Sequence, residues 1–125
     1  MIILDTSTLI RFFTNDDAQK ASKVKKLIES KNTLYVPEVV FPELEYVLSS
    51  HYHASHQEII KTFRFLIAQS NITINPVVKI AADIFSNSKL DMADSIISAH
   101  VKQKSANKLA SFDQELTKIT GQTIW

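Results

Sequence analysis

At 125 residues the chain has the length of one domain, able to bury an ordinary core without cross-links. It has no cysteine, which excludes disulfides and thiolate metal ligands and makes the cytoplasm the expected compartment. Fourteen Lys and Arg stand against 13 Asp and Glu, a net charge that carries no strong nucleic-acid signal. No apolar stretch approaches the roughly 20 residues of a membrane helix, so a soluble protein with no membrane role is expected.

The run Met1-Ile2-Ile3-Leu4 predicts a short buried parallel strand, and it delivers Asp5 to the strand's carboxyl end. In open α/β sheets ligands bind at that edge. Residues 8–13 predict a short helix or turn. Asp16 or Asp17 can cap the next helix, whose apolar positions Ala18, Ala21, Val24, Leu27 and Ile28 recur at three and four. Its lysines, Lys20, Lys23, Lys25 and Lys26, read as a solvated face.

Thr33 to Val36 predicts a second strand, closed by Pro37. A helix carrying Val40, Leu44, Val47 and Leu48 follows, with Pro42 placed in its first turn or bending it. His51, His53 and His56 match no strong zinc spacing and read as a polar loop. Ser55 with Glu58 forms a capping box that starts a helix through Ile59, Phe63 and Leu66. Residues 72–74 predict a third strand, and Asn75-Pro76 turns the chain into a helix with Val77, Ile80, Ala81 and Ile84 inside. A further helix opens at Asp91-Met92-Ala93-Asp94. Residues 108–111 predict a strand ending at Phe112-Asp113, residues 114–119 a last helix, and residues 123–125 an edge strand after the sole glycine, Gly121. Alternation of this kind predicts a single domain over 1–125, of class α/β: three layers, α/β/α, around a central parallel sheet of about five strands.

In such a fold Asp5 and Asp113 end strands at one edge, and Asp91 and Asp94 share a helix face. Glu43, on the helix after the second strand, can face the same edge. Each acid taken singly has a plain explanation as a cap, a first-turn acid or a solvated helix residue. Together they would repel and raise one another's pKa values unless a cation sits among them, and Mg2+ or Mn2+ suits an all-carboxylate donor set. With these five acids set aside, the 14 basic residues face only eight acids elsewhere, mildly suggestive of a polyanionic partner.

Four blocks stand in order along the chain: Ile2-Ile3-Leu4-Asp5-Thr6-Ser7, Val36-Pro37 with Phe41-Pro42-Glu43-Leu44, Asp91-Met92-Ala93-Asp94-Ser95-Ile96, and Ala110-Ser111-Phe112-Asp113. In this order and spacing they resemble the PIN-domain ribonucleases, and most closely the short VapC-type toxins of toxin–antitoxin pairs. The resemblance implies a metal-dependent endoribonuclease that cleaves RNA phosphodiester bonds by metal-activated water. Asp5, Glu43, Asp94 and Asp113 would be its catalytic, metal-holding acids and Asp91 an auxiliary one, with Thr6, Ser7 and Ser111 supporting them by hydrogen bonds. It also implies a cognate antitoxin and a homodimer. Pro42 departs from the family pattern, where a helix former is usual before the Glu, and bears on how Glu43 is aimed.

Two other readings compete with this one. A phosphotransferase of the haloacid-dehalogenase type wants a second Asp where this chain has Ser7. A non-catalytic PIN-like module would bind RNA or protein without cutting. Phe12 and Phe13 read as core, or else as an apolar patch for an antitoxin peptide or second subunit. Replacing Asp5 or Asp94 by Asn is expected to stabilise the metal-free protein by removing a repulsive charge.

Overall fold

The computed structural model describes residues 1–125. Oxygen-bearing side chains set most of its helix starts, by accepting backbone N–H groups that a first turn leaves without partners. Helix α1 (Thr6–Thr14) opens on Asp5, which accepts the Thr8 N–H at 2.9 Å. Helix α2 (Ala18–Ile28) opens on Asp17, which accepts from Lys20 N–H at 3.1 Å. Pro42 falls in the first turn of α3 (Val40–Tyr52), where its missing N–H costs nothing. Helix α4 (His56–Ala68) carries the complete capping box: Glu58 N–H donates to Ser55 Oγ at 3.1 Å, and Ser55 N–H to Glu58 Oε1 at 2.9 Å. Helix α5 (Pro76–Ser86) starts on its proline. Asp91 caps α6 (Met92–Lys102), and Asp113 caps α7 (Gln114–Thr120).

The strands are fewer than expected. β1 (Ile2–Ile3), β2 (Leu34–Tyr35) and β3 (Ile72–Thr73) form one parallel sheet in the order β1-β2-β3, with Ile2 opposite Leu34 and Leu34 opposite Ile72. There are three strands, not about five. The segments expected as fourth and fifth meet in a single parallel bridge, Leu109 to Thr123. Leu109 N–H donates to the Gln122 carbonyl at 2.8 Å and Ile124 N–H to the Leu109 carbonyl at 3.1 Å. Two residues past Leu109, Ser111 Oγ accepts the Asp113 N–H at 3.0 Å and the chain turns into α7, so the ladder stops after one rung. The expected burial of β1 is also corrected: Ile3 is 57% exposed and only Leu4 is buried, as befits a two-residue strand at the sheet's edge.

The chain packs as two compact units, Met1–Asn75 and Pro76–Trp125. In the first, Leu9, Leu34, Val36, Phe41, Leu44, Phe63 and Leu66 are buried, and the Phe41 and Phe63 rings lie 5.5 Å apart. Asn71 secures the end of α2 to the sheet by donating from its side-chain amide to the carbonyls of Ile28, Ser30 and Asn32. Phe12 and Phe13 are half-buried and join Phe65 in a three-ring cluster with centroids 5.1 to 5.7 Å apart, part core and part surface. His51 lies in the last turn of α3, His53 ends that helix in the left-handed region and His56 begins α4, so the expected polar loop shrinks to the link between two helices.

In the second unit α5 packs along α6, and α6 against α7. Leu90, Val101, Leu109 and Leu116 form a buried cluster. Thr120 Oγ1 donates to Ser98 Oγ at 2.8 Å, a buried bond that ties α7 to α6, whereas the buried Ser95 Oγ has no hydrogen-bond partner. No helix is long and apolar enough to cross a membrane.

Candidate active site

In the first unit the chain leaves β1 at Leu4 and enters α1 at Thr6, so Asp5 is held at the joint between strand and helix. Its Oδ1 accepts both the Thr8 N–H at 2.9 Å and the Ser7 hydroxyl at 2.8 Å. These donations, the backbone one largest, favour the ionised form and hold the Asp5 carboxyl below the usual carboxylate range although it is close to water. Thr6, one residue on, faces the other way: its hydroxyl donates to Glu43 Oε1 at 3.2 Å. That bond aims the exposed Glu43, which Pro42 had left in question. Ser7 and Thr6, both expected as supports, therefore each serve a different acid.

In the second unit acid acts on acid instead: the charges of Asp91 and Asp113 bear on Asp94. Asp91 Oδ1 accepts the Asp94 N–H at 2.8 Å, so Asp91 is a cap for α6 first. Asp94 sits half-buried in the first turn, and its carboxyl is pushed up, chiefly by burial and then by the negative charges of Asp91 and Asp113. Asp113 is exposed at the start of α7, where its Oδ1 accepts the Leu116 N–H at 2.9 Å and its own N–H donates to Ser111 Oγ. The expected support from Ser111 thus reaches Asp113 through the backbone, not the carboxylate.

Of the five acids, the structure gives Asp5 and Glu43 separate donors on adjacent residues, Ser7 and Thr6, and brings Asp94 within reach of the charges of Asp91 and Asp113. It shows no group of three or more His, Asp or Glu side chains arranged to hold a metal ion. The donor chemistry nevertheless suits a hard cation. Magnesium is ordinarily held by one or two carboxylates, with waters and substrate phosphate completing its shell. Asp94 and Asp113 offer two carboxylates of this kind, and the charge of Asp113 disfavours that of Asp94.

In a comparison against known families, the PIN-domain model matches residues 2–122. The chain belongs to the PIN-domain family. Among curated proteins, this PIN domain is similar to a VapC ribonuclease of Aquifex aeolicus (strain VF5), with 23% identity across 99% of this chain and 96% of the relative. No solved structure matches it.

Proposed function

We propose that this PIN domain is a metal-dependent endoribonuclease and the toxin of a toxin–antitoxin pair. The observation that carries the reading is Asp94, whose carboxyl pKa is raised by burial and by the charges of Asp91 and Asp113, in a chain that the PIN-domain family matches over residues 2–122. Carboxylates set where they repel are the arrangement a cation relieves, and perturbed acids of this kind mark functional sites. The family match spans Asp5 and Glu43 as well as Asp94 and Asp113, which supports giving all four the same task.

In this reading Asp94 and Asp113 hold Mg2+ or Mn2+, with Asp5 and Glu43 as further ligands, directly or through water. The ion would lower the pKa of a water and neutralise charge developing on the phosphate. Asp5 enters the reaction already ionised, because the Thr8 N–H and Ser7 hydroxyl stabilise its charge, and both donations hold it in one orientation. Thr6 fixes Glu43. Asp91 secures the first turn of α6 and so the height at which Asp94 stands. Ser111 fixes the backbone on which Asp113 is carried.

The similarity to a VapC ribonuclease supports RNA as substrate and a cognate antitoxin as partner, and we extend the proposal to a single domain acting as a cytoplasmic homodimer. The test is incubation of the purified protein with total RNA in Mg2+, Mn2+ or chelator, with mapping of new ends. The expected result is discrete cleavage that chelator stops and Asp94→Asn abolishes. Cleavage that survives Asp94→Asn, or RNA binding without any cleavage, would return the chain to the non-catalytic reading.

A further inference from the structure

Two of the most exposed rings in the protein lie on each other. Phe112 is 88% exposed and Trp125 69% exposed, yet their planes are only 11° apart with centroids at 4.5 Å. The pairing is built by the backbone. Leu109 and Thr123 form a parallel bridge, so the two segments advance in the same direction, and Phe112 three residues beyond one and Trp125 two beyond the other arrive together. The bonds from Leu109 N–H to Gln122 and from Ile124 N–H to Leu109 hold that register, and Thr123 Oγ1 donates to the Trp125 carbonyl at 2.9 Å.

Stacking covers one face of each ring and leaves the opposite face to water. Large aromatic surface left open in this way carries an unrealised gain on burial. A flat, uncharged, π-rich partner extends such a stack, and a nucleobase has that shape. The position is specific too, since Phe112 immediately precedes Asp113, whose charge acts on Asp94. Apart from Asp91, Asp94 and Asp113, the second unit carries six lysines against Asp83 and Glu115, a charge balance suited to a phosphate chain.

We infer that Phe112 and Trp125 form a stacking platform for an unpaired nucleobase of single-stranded RNA, placed beside the acids of the second unit. The inference rests on the ribonuclease reading for its substrate class, but the platform binds without cleaving. A base stacked beside Asp113 fixes the register of the strand there. Its selectivity is for single strands over duplex, because a base stacked between neighbouring pairs in a duplex offers no free face.

Trp125 is the only tryptophan, so its fluorescence reports the platform alone. The full chain, in chelator to prevent cleavage, is titrated with a short oligouridylate and with an abasic ribose-phosphate chain of equal length. The expected result is saturable quenching by the oligouridylate and none by the abasic chain. Phe112→Ala weakens oligouridylate binding about tenfold with an unchanged melting temperature, while Phe112→Tyr retains it. Equal quenching by the abasic chain, or unchanged affinity in Phe112→Ala, overturns the platform. So does concentration-dependent self-association that Phe112→Ala abolishes, which would make the rings a contact between copies. Base-dependent quenching in a protein that cuts no RNA upholds the platform and sinks the nuclease reading. Metal-dependent cleavage without base-dependent quenching does the reverse.

Discussion

The acids of the two units are held in opposite ways. Asp5 is exposed but surrounded by donors, and its charge is stabilised; Asp94 is half-buried among acids, and its charge is penalised. A carboxylate in the first setting is a pre-ionised, oriented ligand. One in the second setting stores repulsion that a cation can release. In the proposed function the first would contribute geometry and the second affinity for the ion. The contrast also corrects the expectation that Asn at either position stabilises the metal-free protein. Asp5 is not repelled by a neighbour in a way that outweighs its donors, so its replacement must act in the other direction.

The largest expected effect is on catalysis and should erase the contrast. Asp5→Asn and Asp94→Asn are each expected to lower Mg2+-dependent RNA cleavage by more than about a hundredfold, beyond the loss of an outer-shell partner. Initial cleavage rates with folded variants check this, and activity kept by one of the two would split the acids into a working and a structural set.

Stability against pH, measured in chelator, should separate the two acids by sign. For Asp94 the folded pKa lies above the ordinary value of 3.8. As pH rises from that value through the folded pKa, the unfolded chain ionises first and the native state loses stability. Asp94→Asn escapes the loss, so it is more stable than the parent at neutral pH and equal to it below the ordinary value. For Asp5 the folded pKa is lowered, so its stabilisation is present above the ordinary value and is lost as pH falls through the folded pKa. Asp5→Asn, which still caps α1 but with a neutral acceptor, is therefore less stable than the parent at neutral pH and converges on it in acid. Denaturant midpoints across the acid range would show the two variants moving in opposite directions; the same direction for both would break the comparison.

Capping by itself must not explain the activity loss. Ser55→Ala removes the cap of α4, a position with no assigned role, and is expected to cost about 1 kcal/mol with cleavage unchanged. Equal loss of stability without loss of activity would leave the acids, and not helix capping, as the cause.

Legibility in the sequence followed the range of the forces involved. Caps depend on residues three apart, so Asp17, Ser55 with Glu58, Asp91 and Asp113 could all be read before the fold was known. Pro42 marked a first turn for the same reason. Strand number is not legible because residues 108–111 have strand-like composition but commit their hydrogen bonds to a single bridge and to the Ser111 turn, a competition that composition does not display. The partner of Thr6 is hidden from the sequence, since its bond to Glu43 closes across 37 residues. In the sequence Phe112 reads only as part of a motif, and Trp125 as an edge strand; their stacking follows from a register set by Leu109 and Thr123, which no local pattern carries.

The smallest effects test the serines beside the two acids. Ser7 donates to Asp5 at 2.8 Å, while Ser95, adjacent to Asp94, is buried and donates to nothing. Ser7→Ala removes a donor from an exposed carboxylate, and a cost of about 0.5 kcal/mol is expected, at the low end for one hydrogen bond because water can replace it. The Asp5 pKa should move up towards the ordinary range. Ser95→Ala removes a hydroxyl that is already unpaired, so no bond is lost and the desolvated group disappears. Neutral or slightly raised stability is expected, with the Asp94 titration unmoved. Carboxyl titration by NMR decides both at once. A shift of Asp94 in Ser95→Ala would mean that the hydroxyl does reach the carboxylate, and the two acids would then differ in degree of donor support instead of in kind.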